Sequence, residues 1–235
     1  MKTFTNLNSL SKKSSLFAAL IGAAVFFNSC KNEIDDTRPA IAAIKVVNAY
    51  PVTNPIDFYM GGTKVNNTGI AFGQKISYFE AYEGSRSVNI TAAGSLTSLL
   101  TKPVDLKGGF YHSLFVIGKI PAELDFLVLK DEFVQTTEKV NVRFINLSPD
   151  AAALSLEVVG DTTTFNDKAY KAYTPFKTIG AAKANLILKD KATNTVKDTL
   201  NNVDLVKGKI YTIWAKGLET TTTDAHKLSL QVTEH

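Results

Sequence analysis

The chain has 235 residues, 45% of them hydrophobic and 20% charged, which is enough apolar side chain for ordinary packed cores. Its formal net charge of +4 includes Lys2, Lys12 and Lys13, which lie in a leading segment without acids; the remainder carries 23 basic against 22 acidic residues. That near balance excludes a nucleic-acid footprint and a polybasic membrane patch, and a single cysteine, Cys30, excludes an intrachain disulfide.

Residues 1–29 have the form of a secretory signal: lysines first, an apolar run over 16–27, then Asn28-Ser29. Twelve helical residues at ~1.5 Å each span ~18 Å, well short of a ~30 Å hydrocarbon core, so the run is not a transmembrane helix. Cys30 directly after Ser29 resembles the lipobox of bacterial lipoproteins, whose cysteine sulfur receives a diacylglycerol and becomes the new N-terminus; the alternative is an ordinary cleaved signal beside an unrelated cysteine. The resemblance implies lipidation at Cys30, and buried acyl methylenes at ~0.8 kcal/mol each would anchor the chain stably. Residues 30–39 are polar and charged, a solvated tether. Glu33, Asp35 and Asp36 resemble the acidic tract that some Gram-negative groups use to direct lipoproteins outward. The expected location is therefore the outer membrane, lipid-anchored, on the cell surface.

Beyond the tether the sequence repeats itself. Ile44-Lys45-Val46-Val47-Asn48-Ala49-Tyr50-Pro51 returns as Val142-Arg143-Phe144-Ile145-Asn146-Leu147-Ser148-Pro149, and Val104-Asp105-Leu106 near Gly108 returns as Val203-Asp204-Leu205 near Gly208. The offset of 98 to 100 residues defines two copies, 40–134 and 138–235. Within each, short apolar or alternating runs separated by Gly, Pro and Asn predict strands. The first copy has them at 41–48, 55–60, 75–82, 86–92, 97–106, 110–118 and 124–130. The second has them at 140–147, 154–159, 170–178, 183–189, 195–205, 210–216 and 226–232. About seven strands in about 100 residues is the size of an immunoglobulin-like sandwich. The expected fold is all-β, two tandem immunoglobulin-like β-sandwich domains. Tyr111 and Tyr211, each three residues after a glycine, are candidate tyrosine corners or ordinary strand tyrosines.

Asn48-Ala49-Tyr50-Pro51 with Asn54-Pro55-Ile56-Asp57-Phe58-Tyr59-Met60-Gly61-Gly62, and Asn146-Leu147-Ser148-Pro149-Asp150-Ala151-Ala152, resemble the opening of the domain of unknown function 4397 family. Tyr82-Glu83-Gly84-Ser85-Arg86-Ser87-Val88 and Lys207-Gly208-Lys209-Ile210-Tyr211 are similar to its later turn and strand pieces. The resemblance implies a secreted or surface β domain without an established activity.

Residues that could carry chemistry are scattered. His112, His226 and His235 read as strand-surface side chains, no spacing indicates a metal site, and no cofactor motif is present. Asp57 matches Ser155, and Asp150 stands opposite Val52, so no carboxylate site is duplicated. An enzyme is not expected. Aromatic residues number twelve in 40–134 and seven in 138–235. Alternation places Ile56, Phe58 and Met60 in the core and turns Asp57 and Tyr59 outward. Tyr59, Tyr78, Phe79 and Tyr82 are the candidate binding residues; equally, these aromatics could cover the contact between the domains, and Trp214 reads as core. The expected partners are the membrane, through the lipid, and a glycan or envelope protein, with no nucleic acid. The function read from this is a non-enzymatic surface protein for adhesion or for glycan or protein binding, or else a passive spacer.

Overall fold

Alternation of buried and exposed side chains organises the chain from Ile41 onward. The computed structural model describes residues 39–180 and 182–235, so Cys30, the signal and nearly all of the tether lie outside the described residues. The first copy forms β1 (Ile41–Asn48), β2 (Ile56–Met60), β3 (Thr63–Lys64), β4 (Lys75–Tyr82), β5 (Gly84–Ala92), β6 (Ser98–Leu106), β7 (Tyr111–Ile117) and β8 (Asp125–Lys130). They make two four-stranded sheets, ordered β4-β1-β7-β8 and β3-β2-β5-β6. The second copy forms β9 (Val140–Asn146), β10 (Leu154–Val158), β11 (Phe165–Lys168), β12 (Lys177–Ile179), β13 (Ala182–Asp190), β14 (Val196–Leu205), β15 (Ile210–Lys216) and β16 (Ser229–Glu234). Its sheets run β12-β9-β15-β16 and β11-β10-β13-β14. In each copy the first strand lies parallel to the seventh, β1 with β7 and β9 with β15. The fold is therefore two tandem immunoglobulin-like β-sandwiches, within one compact unit from Pro39 to His235.

Each sandwich has its own core. Ile44, Phe58, Ile90 and Leu114 are among the buried side chains of the first, and Phe144, Leu156, Leu186 and Ile213 of the second. The asparagine of the repeated motif ends the first strand of each copy and holds the crossing to the opposite sheet. Asn48 Nδ2 donates to the Ile70 carbonyl at 2.8 Å and its Oδ1 accepts from Tyr50 N–H at 3.0 Å. Asn146 makes the same pair of contacts, to the Lys168 carbonyl at 2.9 Å and from Ser148 N–H at 3.0 Å. Both side chains are fully buried, so these bonds satisfy backbone groups that water does not reach.

Three expectations need correction. The run 170–178 is a strand only at 177–179; ahead of it the chain turns, with Lys171 at φ 69° and its N–H on the Asn146 carbonyl. The last strand starts at Ser229, because Asp224–His226 winds into a short 3-10 helix first. The third correction is one of register: the sheet pairings make His112, not Tyr111, the counterpart of Tyr211. His112 Nε2 accepts from Lys107 N–H at 3.4 Å as the Tyr211 phenol accepts from Val206 N–H at 3.3 Å. The positive φ of 76° falls on Gly109 and Gly208, so the adjacent glycines 108 and 109 hide a one-residue shift. Tyr211 is thus a corner, while Tyr111 is half exposed.

A third apolar cluster lies between the sandwiches. Val47, Ala49, Phe115, Ile117 and Leu129 of the first meet Ile145, Leu147 and Trp214 of the second, all buried. Trp214 is therefore buried at the junction and not in a sandwich core. Residues 44–48 of β1 and 112–117 of β7, with β9 and the middle of β15, accordingly bury both of their faces.

Candidate functional site

Beyond the apolar cluster the same two facing sheets carry polar side chains. Arg143 on β9, 2% exposed, places Nη2 2.8 Å from Asp131 Oδ1. Arg143 Nε and Nη2 lie 3.3 and 3.0 Å from Thr212 Oγ1, which lies 2.7 Å from His235 Nε2. His235 Nδ1 is 2.7 Å from the Tyr78 hydroxyl, itself 2.7 Å from Asp131 Oδ2, which also accepts from Ser113 at 2.8 Å.

Proton counting fixes the direction of every bond in this ring. Asp131 only accepts, so Tyr78 donates to it; His235 Nδ1–H then donates to Tyr78, Thr212 donates to His235 Nε2, and Arg143 donates to Thr212. His235 is neutral in that scheme. Burial, with Lys45, Arg143 and Lys75 nearby, pulls its pKa down to about 2. Burial and then Asp131 raise the Tyr78 phenol, keeping it a donor.

Lys45 stands outside the ring. It is 2% exposed, and its Nζ has no hydrogen-bond partner among the described residues. Its ammonium lies 4.7 Å from the centroid of the Tyr78 ring, a cation–π contact. A β-bulge sets this arrangement: Ile44 pairs with Phe79 and Val46 with Ile76, so Ser77 and Tyr78 together oppose Lys45. Burial pulls the amine's pKa down to about 7, Asp131 opposing and Lys75 and Arg143 adding to the fall. Lys45 and His235 line one wall of an open cleft of about 390 Å³, with Lys75, Ser77, Tyr78 and Glu234.

The outer face of the first sheet continues from this cleft to an aromatic strip. Ile41 pairs with Tyr82, and Ala43 pairs with Glu80 on one side and Tyr111 on the other. Tyr78, opposite Lys45, and Tyr111, opposite Ala43, meet edge to face at 5.1 Å. Tyr82, Tyr111 and Ile41 are 56%, 52% and 49% exposed.

The four candidate aromatics therefore do not form one surface. Tyr78 and Tyr82 share the outer face of the β4-β1-β7-β8 sheet. Phe79 points the other way into the core, edge to face with Phe58 at 6.3 Å. Tyr59 lies on the opposite sheet, half-buried, paired with Lys64 and Asn89. Asp57 faces outward from the core as alternation requires but is buried, because Lys64 Nζ at 2.7 Å, Asn66 Nδ2 at 2.8 Å and Gly94 N–H at 2.9 Å close over it. Asp150 is taken up by Glu219 N–H at 2.8 Å and by Lys119 across the junction at 3.3 Å. His112 and the side chain of His235 are buried and not at a strand surface, since the inward register of one and the domain junction of the other enclose them.

Sequence reasoning missed Lys45, Asp131, Arg143 and Tyr111. The signal for two of them was present, a cation inside an apolar run at the same place in both copies: Ile44-Lys45-Val46 and Val142-Arg143-Phe144. Among the described residues no three His, Cys, Asp or Glu side chains converge as metal ligands, and no helix is long and apolar enough to cross a membrane.

Residues 42–157 match the family described as domain of unknown function, DUF4397. Over that span the chain belongs to the DUF4397 family. The DUF4397 match covers the first sandwich from β1, crosses the junction and ends in β10, so it takes in both Lys45 and Arg143. No curated protein matches the chain. Among solved structures, the C-terminal domain of AlgF from P. aeruginosa is 23% identical with a TM-score of 0.31, covering 42% of this chain and 99% of its own. A candidate polysaccharide-binding protein (DUF1812) from Bacteroides thetaiotaomicron is 9% identical with a TM-score of 0.24, covering 83% and 96%. A candidate cell adhesion protein from Parabacteroides distasonis is 6% identical with a TM-score of 0.25, covering 83% and 99%.

Proposed function

We propose that this protein is a non-catalytic, lipid-anchored module of the outer cell envelope that binds a glycan on the outer face of its first sandwich. The observation that carries the reading is the strip of Tyr82, Ile41, Tyr111 and Tyr78, exposed at one end and running into a cleft at the other. Aromatic rings present flat, rigid area at low entropic cost, and an exposed apolar strip with a polar end is the form a binding surface takes. Lipidation at Cys30 would hold that face at the membrane, and Cys30→Ser would release the protein into the soluble fraction.

A glycan array probed with residues 39–235 tests the binding reading. A hit whose affinity falls tenfold or more in Tyr82→Ala or Tyr111→Ala supports it. A silent array overturns it. The buried junction between the sandwiches favours a second reading, a stiff spacer, which a silent array together with an envelope pull-down free of specific partners would assign.

A further inference from the structure

The two sandwiches place equivalent residues at their junction, and one pair breaks the equivalence. Lys45 pairs with Ser113 across the β1–β7 ladder as Arg143 pairs with Thr212 across β9–β15. Each cation lies over an aromatic ring of the neighbouring edge, Lys45 at 4.7 Å from Tyr78 and Arg143 at 4.5 Å from Phe176. Asp131 and His235 also correspond, because each follows the last strand of its sandwich and donates its N–H to the start of the seventh, at Tyr111 and Ile210. Across the junction Arg143 meets the carboxylate of Asp131. Lys45, its twin, shares a cleft with His235, which brings an imidazole to the place where the other sandwich supplies an acid.

We propose that this cleft is a carboxylate-binding site, in which Lys45 receives the acid group of a uronic-acid residue in a glycan lying along the neighbouring tyrosine strip. The inference rests on the glycan reading above. A buried ammonium without a counter-ion is destabilising, and an incoming carboxylate removes that cost. The chain's own side chains do not: the neutral His235 imidazole brings no charge, the Glu234 carboxylate is paired with Lys209 at 2.8 Å, and Asp131 is held by Arg143, Ser113 and Tyr78. The twin arrangement shows what such a site accommodates, a singly charged carboxylate held by one cation and two hydroxyls. At the cleft Lys45 and the Ser77 hydroxyl match one cation and one hydroxyl of that set, and a second cation, Lys75, whose Nζ donates to the Glu234 carbonyl at 2.8 Å, stands at the mouth. The lysine stem is flexible, so rotation about it swings Nζ from the Tyr78 ring toward the opening. Because the Tyr78 ring forms both the cleft wall and the end of the strip, one ligand can stack and pair at once.

Two measurements on residues 39–235 test this. The first titrates galacturonate and glucuronate oligosaccharides against their methyl esters, which keep the rings and remove the charge. The acid is expected to bind at least tenfold more tightly than its ester, and Lys45→Met to bring the acid down to the ester's affinity. His235→Asp, which supplies the missing carboxylate internally, is expected to remove the preference for the acid while raising the melting temperature. Equal affinity for acid and ester overturns the carboxylate site and leaves the glycan reading standing; no binding by either overturns both. The second measurement needs no glycan: acetate should raise the Lys45 amine pKa in an NMR titration. An unmoved pKa at saturating acetate overturns the site by itself.

Discussion

Phe115 and Trp214 meet edge to face across the junction of the two sandwiches, ring centroids 6.2 Å apart and both side chains fully buried. Trp214 Nε1 also donates to Thr233 Oγ1 at 3.1 Å, so the indole loses no hydrogen bond by its burial. Removing a buried aromatic side chain of this size costs about 3–5 kcal/mol. Trp214→Ala is therefore expected to lower the unfolding free energy of residues 39–235 by that amount in urea denaturation, with one cooperative transition in the parent chain. Either half alone uncovers this layer and is expected to melt well below the intact chain. Halves that melt at the parent temperature would refute the shared core.

What the sequence made legible, and what it hid, follows from how each feature is encoded. Strand positions such as 41–48, 75–82 and 210–216 are local, written in alternation and glycine punctuation, and the structure places strands there. The junction is non-local. Its one local trace is that Val46-Val47, Phe115-Val116-Ile117 and Ile213-Trp214-Ala215 run apolar on consecutive residues, the pattern of strands buried on both faces. Tyr59 could be assigned a face but not a neighbour, because alternation says which side of a sheet a residue takes and nothing about which sheet lies beside it. Phe79 shows the same limit more sharply. It adjoins Tyr78, and only the bulge opposite Lys45 decides which of the two enters the core.

Asn48 and Asn146 lead to a second prediction, about the repeated motif itself. Each buried amide satisfies two backbone groups at the crossing between sheets. Alanine there leaves a buried carbonyl and a buried N–H unpaired, at about 1–3 kcal/mol per unsatisfied group. Asn48→Ala and Asn146→Ala should each destabilise residues 39–235 by a few kcal/mol in urea denaturation, while Asn54→Ala, an exposed asparagine of the same loop, should change little. Equal effects at all three positions would show that the motif does not brace the fold.

The last prediction concerns pH and the amine of Lys45. Its pKa is lowered from an ordinary 10.5 to about 7, first by burial, with Asp131 opposing and Lys75 and Arg143 assisting. The other groups facing it are Tyr78 on β4 and, after β16, neutral His235; Glu234 lines the same cleft. Between about pH 7 and 10.5 the unfolded chain binds a proton at Lys45 that the folded chain does not, so this group makes stability rise with pH across that window. Below about 7 the amine is charged in both states and the burial cost is present in full, on the order of a few kcal/mol. Lys45→Met removes that cost and keeps most of the stem's packing. The variant should therefore be more stable than the parent at pH 6, by an amount that shrinks as pH rises and is nearly gone by pH 10.5. Chemical denaturation of both proteins at a series of pH values measures the difference directly. A gap that stays constant with pH would mean that Lys45 does not change its charge within this range, and that its amine is paired in solution.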